Sequence, residues 1–123
     1  MRYMFLIYSV ENLDGLSTSD IAVRGIMEGH RAVIAESSAK GVLRGLDPLK
    51  PTSTATTVRM REGNSLITDG PFAETKEQLA GYYIIECANL DEAIEWAKKI
   101  PTACKGDAGC IEIRPIVEIP KPV

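Results

Sequence analysis

The sequence has one histidine, three cysteines and no excess of positive charge in its 123 residues, and each scarcity removes a class of chemistry. Cys87, Cys104 and Cys110 are odd in number and lack the close paired spacing of a zinc site, so neither a disulfide framework nor a structural metal is expected. One imidazole and scattered thiols do not make a ligand set, and no metal or other cofactor is expected. No apolar run is long enough to span a bilayer, and Met1 to Tyr8 is too short and too strand-like for a secretion signal. A cytoplasmic protein with no membrane partner is the expectation. The formal net charge of −3 gives no polyanion-binding character, which disfavours direct nucleic-acid binding.

What is present is the composition of a single globular domain covering 1–123, 45% hydrophobic and 25% charged, long enough to bury a core without staples. Arg2 to Ser9 reads as a strand with Tyr3, Phe5 and Ile7 on one face and Met4, Leu6 and Tyr8 on the other, so both faces call for burial. Ser17 with Asp20 resembles a capping box, and a helix is predicted from about Thr18 to Lys40, stopped by Gly41. On it Val23, Ile26, Met27, His30, Ile34 and Ser37 form one stripe, which turns His30 toward the sheet. Val42 to Leu46 and Ala55 to Arg61 read as strands, and Glu62-Gly63-Asn64 as a hairpin turn into Ser65 to Thr68. Gly81 to Cys87 is a strand apolar on both faces. Asn89 and Glu92 cap a helix whose predicted stripe is Leu90, Ala93, Ile94, Ala97 and Ile100 and which Pro101 ends; Cys110 to Glu118 is the last strand.

This order predicts an α+β, ferredoxin-like plan of two βαβ halves with a β-hairpin inserted between them. Two helices cover one face of such a sheet, and the doubly apolar strands leave the other in need of a partner. A twofold homodimer, sheet against sheet, is expected.

Between the hairpin and the Tyr82 strand lies Asp69-Gly70-Pro71-Phe72-Ala73-Glu74-Thr75-Lys76-Glu77-Gln78, dense in turn chemistry at its start. Together with Ala55-Thr56-Thr57-Val58-Arg59, Gly81-Tyr82-Tyr83, Leu90-Asp91-Glu92-Ala93 and Ile111 to Ile116, it resembles the DGPF proteins, a branch of the YCII-related domains. The resemblance spans nearly the whole chain. It implies a dimeric α+β barrel, and it implies a His–Asp site in the cleft between helix and sheet, with His30 at the expected helical position and Asp69 or Asp47 as its partner. DGPF proteins also resemble accessory domains found beside sigma factors of the extracytoplasmic type, which implies a regulatory partner instead.

As the sole histidine, His30 is the candidate acid or base near neutral pH, against the plainer reading of a hydrogen-bonded core histidine. Asp69 is the candidate orienting carboxylate, or else closes its own turn before Gly70. Tyr82 and Tyr83 face opposite sides of their strand, so one can offer a phenol to the cleft while the other packs. Arg59 shares a strand face with Arg61 and can hold an anion, or simply be a solvated cation. With Phe72 of the loop, these make the expected ligand-binding set. Two functions follow: a binder of a small polar or anionic molecule in the barrel cleft, with His30 as its acid or base, or a non-catalytic accessory domain linked to an extracytoplasmic-function sigma factor.

Overall fold

The computed structural model describes residues 1–11, 21–102 and 109–120, with side chains from residue 27 onward in the first helix. The Ser17–Asp20 capping box, the helix start at Thr18 and Cys104 lie outside the described residues. The elements are β1 (Arg2–Ser9), α1 (Ile21–Ala39), β2 (Leu43–Pro48), β3 (Thr56–Arg61), β4 (Asn64–Asp69), β5 (Gln78–Glu86), α2 (Leu90–Lys99) and β6 (Cys110–Pro115). A short 3-10 turn at Thr52–Thr54, which the sequence reading did not anticipate, precedes β3.

Four strands form one sheet in the order β2-β5-β1-β6, each neighbouring pair antiparallel. With one helix after β1 and one after β5, this is the expected ferredoxin-like α+β plan. Strand parity explains how it packs. Tyr3, Phe5 and Ile7 of β1 and Tyr83 and Ile85 of β5 are buried, and they share the core with Cys87, Val33 of α1, and Ala93, Trp96 and Ile100 at α2. Met4, Leu6, Tyr8, Tyr82 and Ile84, one residue out of phase, are only half-buried on the opposite face.

α1 ends by a complete Schellman motif. Val42 N–H donates to the Ser37 carbonyl at 3.0 Å and Gly41 N–H to the Ser38 carbonyl at 3.0 Å, with Gly41 at φ 69°. α2 starts on Asn89, whose side chain accepts from Glu92 N–H at 2.9 Å, while the Glu92 carboxylate accepts from Ala88 N–H at 3.0 Å. Its buried stripe departs from the expected one: Ala93, Trp96 and Ile100 face inward, and Leu90 and Ile94 are exposed. The indole is the reason. Trp96 is the largest side chain on the helix, and its ring is flanked by the ammonium groups of Lys99 at 4.9 Å and Lys40 at 5.4 Å, so the helix turns it to the core. On α1, Val33 and Ser37 are buried, while Met27, expected on the stripe, is exposed.

β3 and β4 form the inserted hairpin as a separate two-stranded sheet. Its turn places Glu62 at φ 51° and Gly63 at φ 81°, the paired positive values of a type I′ connection, whose twist matches the strands it joins.

Candidate active site

The site is the cavity left where α1 crosses the β5–β2 edge of the sheet. Its geometry begins with an irregularity in β5: Ile7 of β1 pairs with Gly81, but Tyr8 pairs with Leu79, so Ala80 is an extra residue in the ladder. Opposite it, β2 comes close because position 81 lacks a side chain. A Cβ there would lie 2.9 Å from the Asp47 carbonyl oxygen and 3.2 Å from the Pro48 Cα. Leu49 N–H then bonds the Ala80 carbonyl at 2.8 Å, fixing the end of β2 against the bulge.

The resulting pocket has a volume of about 220 Å³ and is partly open to solvent. Ile7, Met27, Ile34, Leu46, Pro48 and Ala80 make its walls apolar; Ser9, His30 and Tyr83 are its polar residues, and Asp47 and Tyr82 border it. Inside it His30 Nδ1 lies 2.7 Å from the Tyr83 hydroxyl oxygen, and the two rings stack at 5.9 Å between centroids, 16° from parallel. Burial holds the imidazole below its ordinary pKa and pushes the Tyr83 phenol above its own, so both groups are neutral near pH 7. One proton then lies between Nδ1 and the phenol oxygen. Either Tyr83 donates and Nε2 carries the imidazole proton, or Nδ1 donates and the phenol proton is free for another acceptor.

Tyr82 points to the other face of the sheet from Tyr83, as strand parity requires, and its hydroxyl donates to Asp47 Oδ2 at 2.5 Å. The carboxylate acceptor, ahead of burial, pushes this phenol's pKa up. The two aspartates open as partners for His30 are both exposed: Asp47 borders the pocket with its carboxylate on the Tyr82 hydroxyl, and Asp69 stands at the end of β4, where it pairs with Thr56. Arg59 is exposed, and its guanidinium donates to the Phe72 carbonyl at 3.3 Å. Phe72 itself is 77% exposed. The structure thus brings His30 and Tyr83 together in the cavity, sets the Tyr82 phenol with Asp47 on the other face of the sheet, and leaves Asp69, Arg59 and Phe72 together at the hairpin and its loop.

That loop is held by its own hydrogen bonds. Gly70, at φ 98°, donates from its N–H to the Ala55 carbonyl at 2.7 Å and accepts from the Thr57 hydroxyl at 2.8 Å. The Gln78 amide donates to the Thr75 carbonyl and accepts from Glu11 N–H at 2.9 Å, and the Glu11 carboxylate accepts from both Thr52 N–H and its hydroxyl at 2.7 Å. Glu77 accepts from Gly109 N–H at 2.7 Å, tying the loop to the start of β6. Glu11 and Thr52 were not singled out from the sequence, because nothing local in their surroundings marks a contact with a loop far along the chain.

Among the described residues no group of three His, Cys, Asp or Glu side chains is placed to hold a metal, and no helix is long and apolar enough to cross a membrane. Compared with known proteins, residues 1–120 match the family model described as the YCII-related domain. An uncharacterised protein of Rhizobium meliloti (strain 1021) is 38% identical over 116 residues, which cover 94% of this chain and 92% of that protein.

Proposed function

The chain belongs to the YCII-related domain family, and on that premise we propose that it is a cytoplasmic protein that binds a small organic molecule in the cavity between α1 and the sheet. His30 and Tyr83 are its polar contact and the groups able to move a proton on the bound molecule. The observation that supports this is the 2.7 Å contact between an imidazole and a phenol inside an otherwise apolar-walled pocket. No carboxylate is assigned to His30: Asp47 accepts from the Tyr82 hydroxyl on the other face of the sheet, and Asp69, Arg59 and Phe72 serve the loop. The test is a fragment screen read at the His30 ring by NMR. Fragments that shift those resonances in the wild type, and not those of α2, support the proposal; a library that leaves them unmoved overturns it.

The proposal includes a twofold dimer formed through the open face of the sheet, where Met4, Leu6, Tyr82 and Ile84 remain half-buried. A second reading, a non-catalytic accessory domain that contacts an extracytoplasmic-function sigma factor, is favoured by the hairpin. Val58, Met60 and Ile67 share one face of that ribbon and are 60%, 68% and 65% exposed. Co-purification with such a factor encoded beside this gene, lost on Met60→Asp, supports the second reading; no association at micromolar concentration rejects it.

A further inference from the structure

We infer that the cavity selects an uncharged, single-ring molecule carrying one hydroxyl or carbonyl group, and rejects the carboxylate of the same size. This rests on the reading that the cavity is a ligand site, and it adds what kind of molecule the site takes.

Size is the first argument. A closed apolar cavity of about 150 Å³ is enough to take up benzene. The pocket here, at about 220 Å³, has room within its walls for one six-membered ring with a small substituent. Its walls come from Ile7, Ile34, Leu46 and Pro48, which suit a ring face.

Charge is the second. No lysine or arginine is among the described residues lining the pocket, and Asp47, which borders it, has its carboxylate on the Tyr82 hydroxyl at the other face of the sheet. Arg59, the cation an anionic ligand would need, is directed to the Phe72 carbonyl at the loop. A carboxylate entering this space loses its hydration without gaining a counter-ion from these residues, which costs several kcal/mol or forces it to take up a proton.

The polar pair is the third. His30 and Tyr83 share one hydrogen bond, so a neutral pair can present a donor at the phenol and a lone pair at Nε2, or a donor at Nε2 and a lone pair at the phenol oxygen. The exchange creates no net charge. A ligand hydroxyl finds an acceptor in either arrangement and a ligand carbonyl finds a donor, so one site serves both groups without a buried ion.

The experiment titrates phenol, cyclohexanone and benzoate into the wild-type protein at pH 7.5 and follows the His30 ring by NMR. The expected result is that phenol and cyclohexanone shift the His30 resonances, and that benzoate binds at least about tenfold more weakly, reflecting the cost of burying an unpaired charge. Tyr83→Phe, checked for folding by circular dichroism, weakens phenol binding by about tenfold through loss of the shared hydrogen bond. Benzoate binding at His30 as tightly as phenol overturns this inference and leaves the cavity a ligand site. If none of the three perturbs His30, the ligand-site reading falls, and the inference with it.

Discussion

At the level of single residues, His30 joins fold to chemistry. Burial lowers its pKa in the folded protein, so on acidification the unfolded chain takes up the proton first. The contribution of His30 is therefore intact above its unfolded value of about 6.5 and is lost as pH falls from there toward the lower folded value. Urea unfolding at pH 7.5 and 5.5 should show a larger loss of stability for the wild type than for His30→Gln, which carries every other titrating group unchanged. An equal loss in the two proteins rejects the assignment. Cys87 makes a second test at this scale. It is buried and its thiol is pushed up to about 11, chiefly by that burial, so it is a poor nucleophile. In a Cys104→Ser background, a thiol reagent should modify the exposed Cys110 in the folded state and Cys87 only on unfolding. His30 and Tyr83 were each legible as candidates, but their pairing was not: 53 residues separate them, and the contact depends on where α1 crosses β5. The place of the carboxylate was similarly undetermined, because the β2–β5 register sets Asp47 opposite Tyr82 and so puts its carboxylate on that hydroxyl.

At the level of elements, β1 and β5 were readable from short runs of aromatic and aliphatic residues at both parities, and their burial alternates residue by residue because helices cover one face of the sheet. The hairpin was readable from Glu62-Gly63-Asn64, and Glu62 and Gly63 have the positive φ values of such a turn. α2 was harder. A stripe drawn through its aliphatic residues omits Trp96, since placing one aromatic ring in the core rotates the helix away from the best aliphatic seam. The bulge at Ala80 left no signal beyond Gly81 itself, and Gly81 could be read as an ordinary strand start. Gly81→Ala should cost about 1–3 kcal/mol in chemical denaturation, because its methyl group meets the backbone of β2 and not a yielding side chain. It should also shift the His30 resonances, since β2 forms a wall of the same cavity. Asn89→Ala, which removes the cap of α2, should cost about 1 kcal/mol and leave those resonances unchanged.

At the level of the whole molecule, the four-stranded sheet has helices on one face, while the other carries a central apolar band from β1 and β5. Sedimentation at micromolar concentration should give the mass of two chains. Leu6→Arg, at the centre of the open face, should give the mass of one while leaving the His30 and Tyr83 resonances in place, because both residues lie on the helix side. A wild-type monomer under these conditions rejects the dimer.

The ribbon of β3 and β4 departs and returns at a single point, where the Gly70 amide meets the Ala55 carbonyl at 2.7 Å. A segment whose ends nearly touch behaves as a cassette. It can be excised with a short splice, or exchanged for another of different length, without changing the order of the four strands behind it. A fluorescent or affinity tag inserted at Glu62–Gly63, the tip of that ribbon, should leave the His30 resonances in place.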